Sequence, residues 1–298
     1  MTAPRLLDPA VLARIGDLEL LARTVVDGFI AGLHESPYLG VSTDFAEHRP
    51  YLPGDDVRRV DWKLWGRTDR FYVKEFEADT NANLVVLLDV SRSMAFGSGP
   101  VTKLDYGRFL AASLLYLSRR QRDRVGLITF DTELREVIPA SARHLERALH
   151  ALERTEPRSG AASMKEPLAK AGAILRRRAI LVLISDCYEP AEEIVSAFGA
   201  LRGRGSDLIV FHVVDPAERE FAFTEPAPFE DLETGERLPI VPAGQAQRYR
   251  TLFAEHCENL QSQLVQSRVD FATAPTDRPL DEALFYYLSR RRAMSRTR

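Results

Sequence analysis

The chain has 298 residues, 45% hydrophobic and 28% charged, which is enough apolar material for a large core and excludes a disordered tail or a mini-protein. Its 40 Lys and Arg against 43 Asp and Glu leave a formal net charge of −3, a balance that argues against a chain whose main work is wrapping nucleic acid or coating an anionic membrane. The two cysteines, Cys187 and Cys257, form no CxxC pair, so neither a disulfide framework nor a cysteine zinc site is supported and a reducing, cytoplasmic location is expected.

Residues 1–35 read as an amino-terminal amphipathic helix. Asp8 followed by Pro9 has the form of a helix start, and Val11, Leu12, Ile15, Leu18, Leu21, Ala22, Val25 and Val26 recur at helical spacing toward Leu33. The stripe is expected to pack on the rest of the chain. The opening MTAPRLLDPA has no basic segment followed by an apolar block, so no secretory leader is expected. Nor does any stretch reach the roughly 20 apolar residues of a membrane span. Residues 36–80 are rich in Pro, Gly, charge and aromatics and read as loops and short strands.

From 81 to 292 the chain alternates strand and helix. Expected strands are Leu84 to Asp89, Val125 to Phe130, Ala179 to Ser185, Leu208 to Val214 and a short Val269 to Phe271, with Leu134 to Ile138 as an antiparallel edge. Expected helices run from Thr102 to Arg119, Ala142 to Arg154, Met164 to Arg177, Ala191 to Arg202 and Gln245 to Ser267. Continuously apolar strands belong in a sheet covered by helices on both faces, so the fold class is α/β, a doubly wound, mostly parallel sheet. An insertion at 216–242 carries Pro226, Pro228, Gly235 and Pro239 and reads as a hairpin or loop excursion around Glu233 to Glu236. Arg290 to Arg292 and the basic tail at 293–298 read as a solvated, frayed helix end.

The sharpest local feature is Asp89-Val-Ser-Arg-Ser-Met94, which places Asp89, Ser91 and Ser93 at alternate positions directly after an apolar strand. A carboxylate and two hydroxyls on one loop are hard oxygen ligands of the kind Mg²⁺ or Mn²⁺ accepts. The same loop could equally cap the helix that follows. Asp186 closes a second apolar strand, Ile180 to Ser185. If the two strands are neighbours, their ends lie ~5 Å apart, and two carboxylates at that spacing repel by about 3 kcal/mol at an effective dielectric of about 20. A divalent cation between them would remove that cost.

Strand, Asp-x-Ser-x-Ser, helix, strand and strand-terminal Asp together resemble the von Willebrand factor A domain and its metal-ion-dependent adhesion site. The resemblance implies a Mg²⁺ or Mn²⁺ site at Asp89, Ser91, Ser93 and Asp186, with an open position for an acidic residue of a partner. The family's ligand Thr aligns with Ala162, leaving the neighbouring Ser163 as a substitute only if the loop shifts. A second motif, Arg49-Pro-Tyr-Leu-Pro-Gly-Asp-Asp-Val-Arg-Arg-Val-Asp-Trp62 with Arg67 and Val73 to Glu77, resembles the DUF58 proteins, a bacterial and archaeal group with an A-domain-like core, and the likeness spans about Ser36 to Arg292. It implies the shorter form lacking membrane helices, with a MoxR-type AAA+ ATPase as partner.

Within that signature, Tyr51, Gly54, Asp55, Asp56, Arg58, Asp61 and Trp62 are expected to lock the segment onto the sheet, through a proline-glycine turn and paired arginines and carboxylates. A docking surface is the alternative. Trp62 and Trp65 are expected to pack as core or cover. Cys187 is expected as a small buried group, the six histidines show no metal-ligand spacing, and the sequence before Lys103 lacks a phosphate-loop pattern. The functional expectation is a non-enzymatic interaction module, working with the ATPase and a client protein, whose specificity comes from Arg92, Met94 and Phe96 around the metal. The alternatives are a metal-independent scaffold using the same rim and a metal-dependent hydrolase.

Overall fold

The computed structural model describes residues 7–35, 47–51, 62, 64–65, 71–75, 82–157, 163–202, 205–221, 223, 225, 227–232 and 235–296. The amino-terminal segment forms two helices where one was expected, α1 (Pro9–Leu12) and α2 (Leu18–Glu35). Gly16 is a poor helix residue, and Asp17 starts a new helix by accepting from the Leu20 amide through its side chain at 2.9 Å. Strands β1 (Glu47–Pro50) and β2 (Tyr72–Glu75) pair as a separate antiparallel ribbon.

The central sheet is built from β3 (Asn83–Asp89), β4 (Arg124–Phe130), β5 (Leu134–Ser141), β6 (Ile180–Ser185), β7 (Asp207–Val214) and β10 (Asp270–Pro275). Among the described residues these six lie in the order β10-β7-β6-β3-β4-β5, with only β5 antiparallel. The chain winds from β3 to β4 and β5 on one side, then returns to β6 on the other. The reversal point therefore falls between β3 and β6, where open α/β sheets place their ligand crevice.

Helices cover both faces, as the apolar strands require. Leu84, Val86 and Leu88 of β3 join a core with α2, α3 (Lys103–Arg120), α4 (Leu145–Glu153) and α9 (Leu280–Arg296). Val85 and Leu87 join the opposite core, with α5 (Lys165–Ile174), α6 (Ala191–Arg202) and α8 (Pro242–Gln266). The buried apolar stripe of α2 lies in the first of these cores. Helix α3 lies close on the sheet at Gly107, where an added Cβ would stand 3.0 Å from Leu88 Cδ1 and 3.4 Å from Ile184 Cγ2.

After β7 come the short helix α7 (Pro216–Glu220) and the hairpin β8 (Ala227–Glu230) with β9 (Arg237–Ile240). Gly235 takes φ +75° in the connection, a backbone region that glycine enters at no steric cost. Helix α8 then begins at Pro242, three residues before the expected start.

The arginine run in α9 is not the solvated, frayed end expected of it. Arg291, its side chain 11% exposed, ion-pairs with fully buried Asp123 just ahead of β4. It also reaches Tyr287 Oη at 3.3 Å. Arg290 pairs with Asp270 at 3.4 Å and lies over the Tyr286 ring. The reason is geometric: α9 crosses the amino end of the sheet, where Asp123 also accepts the Ala82 amide at 3.1 Å and needs a cation.

Candidate functional site

Asp89 ends β3 and is buried among hydrogen-bond donors. The Ser91 amide donates to Oδ1 at 2.9 Å and the Ser185 hydroxyl to Oδ2 at 2.6 Å, while the Ser91 and Ser93 hydroxyl oxygens stand 3.0 Å apart. Burial, and then the neighbouring Asp186 carboxylate, raise the Asp89 pKa to about 7 against the opposing hydrogen bonds from Ser185 and Ser91. The strand-end acids of β3 and β6 thus sit at the reversal point, as the spacing argument requires.

Asp186 is held by a residue that the sequence reading set aside. Lys103 is the first residue of α3, and its fully buried ammonium donates to Asp186 Oδ2 at 2.8 Å and to Glu218 Oε1 at 2.6 Å. Burial alone would lower its pKa, but Asp186 and Glu218 outweigh that and hold it above the ordinary lysine value. Its Nζ also lies 4.6 Å from the Tyr188 ring centroid and 5.8 Å from that of Phe96, distances at which an aromatic face attracts a cation.

Glu218 belongs to a second capping device. At the end of β7, Asp215 starts α7 and accepts the Ala217 amide at 2.8 Å, while Glu218 Oε2 accepts the Asp215 amide at 3.0 Å. Asp215 further accepts from the Ser98 amide at 2.9 Å, the Ser98 hydroxyl at 2.5 Å and the Thr276 hydroxyl at 3.4 Å. A third strand-end acid therefore fastens the loop that leads into α3.

Of the expected site residues, Asp89, Ser91, Ser93 and Asp186 share this one strand-end region. Ser163 lies exposed ahead of α5, and Ala162 falls outside the described residues. Arg92 and Phe96 are half-buried on the rim. Met94 is not a rim residue: the 3-10 turn Arg92–Ala95 points it into the core beneath α3, fully buried, 3.5 Å from where a Cβ on Gly107 would stand. Tyr51 meets Phe71 edge-on, and Trp62 and Trp65 join the same ring cluster but are exposed, at 55% and 39%. They cover Phe71 at the surface and do not enter the core. Gly54, Asp55, Asp56, Arg58 and Asp61 lie outside the described residues.

Sequence reasoning missed Lys103, Ser185, Asp215 and Glu218. A signal existed for two of them, since Asp215-Pro-Ala-Glu218 repeats the Asp-Pro start seen at Asp8 and adds the acid of a capping box. Cys187 is buried at φ +49°, and burial drives its thiol pKa well up, which leaves it protonated and inert. His212, on β7, is likewise buried, and desolvation lowers its pKa to about 4.

The magnesium ion implied by the A-domain resemblance meets a mixed donor set. The Ser91 and Ser93 oxygens, 3.0 Å apart, suit adjacent corners of an octahedron with bonds of about 2.0–2.1 Å. Asp186 does not suit it, because its Oδ2 is bound to an ammonium, and each oxygen of Asp89 already accepts a hydrogen bond. A metal here would have to compete with a buried lysine for its second acid. As arranged, the residues do not fit a resident divalent ion.

A family model described as "Protein of unknown function DUF58" matches residues 47–262. The chain belongs to the DUF58 family. This DUF58 chain is 29% identical over 233 residues to the uncharacterized protein Rv1480 of Mycobacterium tuberculosis (strain ATCC 25618 / H37Rv), a match covering 76% of the chain and 73% of the relative. The uncharacterized protein Mb1516 of Mycobacterium bovis (strain ATCC BAA-935 / AF2122/97) matches to the same extent. Among solved structures, the conserved hypothetical protein BatB from Bacteroides thetaiotaomicron superposes with a TM-score of 0.44 at 16% identity, covering 70% of this chain and 98% of BatB. The SpRpn10 VWA domain gives 0.38 at 13%, covering 67% and 92%. No helix among the described residues of this DUF58 protein is long and apolar enough to cross a membrane.

Proposed function

We propose that this DUF58 protein is a non-enzymatic interaction module, an adaptor or co-chaperone for a MoxR-type AAA+ ATPase and its client, docking through the rim at the carboxyl ends of β3 and β6. The observation that carries the reading is the closed state of the site's chemistry. Asp89 and Asp186 are satisfied from within by Ser91, Ser185 and Lys103, Cys187 is buried and protonated, His212 is buried and neutral at pH 7, and the His256 Nε2 is engaged 3.0 Å from the Cys187 carbonyl oxygen. A hydrolase needs an accessible nucleophile or a general base within reach of substrate. Above this closed floor lie half-buried Arg92 and Phe96 and exposed Tyr188, which suit contact with another protein.

Of the two docking chemistries, the metal-independent one is favoured by the Lys103–Asp186 pair. A magnesium-bridged contact is supported by the spacing of Ser91 and Ser93 alone. The test is capture of the tagged chain from its native host with ATP present. Recovery of an AAA+ ATPase, reduced at least tenfold by Arg92→Glu or Tyr188→Ala in normally folded protein, supports the reading. Metal-dependent turnover of phosphoester or peptide substrates, lost in Asp89→Ala, overturns it.

A further inference from the structure

We infer that Lys103 is the built-in cation of the strand-end acid cluster: its ammonium holds the place beside Asp186 that a divalent ion would need, so the site is complete without metal. The inference rests on the geometry of the site and stands whether or not an ATPase docks there. Only its corollary, that docking at this rim ignores chelators, depends on the interaction reading.

Three independent features of the fold put the ammonium there. Thr102 caps α3 in a reciprocal box with Asp105, accepting the Asp105 amide at 3.0 Å and donating its hydroxyl to the Asp105 carboxylate at 2.7 Å. The Lys103 amide is tied back to the Phe96 carbonyl at 2.8 Å. At Gly97 the loop returns so tightly that an added Cβ would stand 2.8 Å from both the Thr102 Cα and the Val101 carbonyl oxygen. The side chain then enters a cage of Asp186, Glu218, Tyr188 and Phe96 and shows no exposed surface. A lysine is almost never buried so fully without paired acids, and removing either side of such a pair leaves an uncompensated charge in the interior.

Glu218 marks the cage as purpose-built. Its two oxygens have separate tasks, one closing the α7 cap on the Asp215 amide and the other receiving Lys103. A divalent ion drawn to Asp186 would expel or abut this ammonium, stranding a buried positive charge against Glu218 alone. Metal and lysine are therefore alternatives at Asp186, and the fold supplies the lysine.

The experiment uses the full chain without a metal-binding tag, titrated with Mn²⁺ or Mg²⁺ and then with EDTA, while thermal unfolding and Mn²⁺ electron paramagnetic resonance are followed. Neither ion is expected to shift the wild-type melting temperature or to show bound Mn²⁺. Lys103→Ala is expected to melt roughly 10 °C lower and to regain stability with Mn²⁺, reversed by EDTA and absent in Lys103→Ala/Asp89→Asn. If Lys103→Ala does not fold, the wild-type titration decides, with Lys103→Met/Asp186→Asn as the charge-balanced variant expected to fold better than Lys103→Met. Mn²⁺ binding by the wild type that Asp89→Asn abolishes, or a Lys103→Ala protein with no Mn²⁺ response, would overturn the inference. Either result leaves the capture experiment for the ATPase unaffected, so the two readings fail separately.

Discussion

Each end of the central sheet buries a cation from a helix against an aspartate from a strand terminus, and the two ends use the pair differently. At the amino end Arg291 meets Asp123, which also accepts the Ala82 amide, while Tyr287 and Ser118 share a hydrogen bond alongside at 2.9 Å. One charge answers one charge, with polar neighbours completing the shell. At the carboxyl end Lys103 answers Asp186 and Glu218 together while Asp89, close to Asp186, keeps a pKa raised to about 7. The first arrangement is a clamp joining α9 to β4. The second concentrates acid beneath an accessible rim, so the carboxyl end carries electrostatic tension that the amino end lacks.

Breaking each pair is the strongest test of this contrast. Arg291→Ala and Lys103→Met should each cost about 3–5 kcal/mol in denaturant unfolding, because each strands a buried carboxylate. The difference should appear on adding Mn²⁺ to Lys103→Ala and Arg291→Ala: the former recovers and the latter does not, since the contacts among the described residues set one carboxylate, Asp123, beside the Ser118 and Tyr287 hydroxyls, whereas Asp186 is joined by Asp89 and Glu218. Equal responses would erase the distinction between clamp and site.

A pH series should sharpen the account of the carboxyl end next. The folded state holds the Asp89 proton up to about 7, whereas the ordinary carboxylate releases it near 3.8. Between those values the folded protein binds more protons than the unfolded one, so stability falls as pH rises, by at most about 1.4 kcal/mol per unit. Asp89→Asn should remove that fall. His212 acts oppositely, since its pKa is lowered from 6.5 to about 4: its contribution is present above 6.5 and is lost as pH falls through 4. With Asn at 89, the midpoint of urea unfolding should therefore rise between pH 4 and pH 6.5.

Smaller effects probe how Lys103 is placed. Gly97→Ala should destabilise by about 1–3 kcal/mol, because the new methyl meets backbone. Gly99→Ala, with nothing within 4 Å of its added Cβ, should lie within about 0.5 kcal/mol of wild type. Tyr188→Ala should cost about 1–2 kcal/mol, because it removes both the aromatic face over Lys103 and the Tyr188 side chain's hydrogen bond with Glu218.

The sheet was legible in the sequence because its strands are short apolar runs that end at Asp89, Phe130, Ser185 and Val214, and such runs have few alternatives to burial. Two strand-end acids, Asp89 and Asp186, were legible for the same reason, since a charge directly after an apolar run must sit at the sheet's rim; Asp215, directly after Val214, carried the same signal and was missed. Lys103 was not, since its partners lie 83 and 115 residues away and neither periodicity nor local spacing reports a contact that only the fold creates. Arg291 was hidden likewise, a member of a charge run indistinguishable from its solvated neighbours until α9 is laid across Asp123. Met94 misled because its motif neighbours Ser91 and Ser93 belong to the site, whereas the tight 3-10 turn sends the side chain that follows them inward.

The clamp at the amino end also has a direction in time. Arg291 follows Asp123 by 168 residues, so at ribosomal rates roughly ten to thirty seconds separate the appearance of the acid from that of its cation. Throughout that interval β4 can pair with β3, but the carboxylate at its head has to stay hydrated. The amino end of the sheet is thus sealed only once α9 has been made, an order of assembly written as a single ion pair.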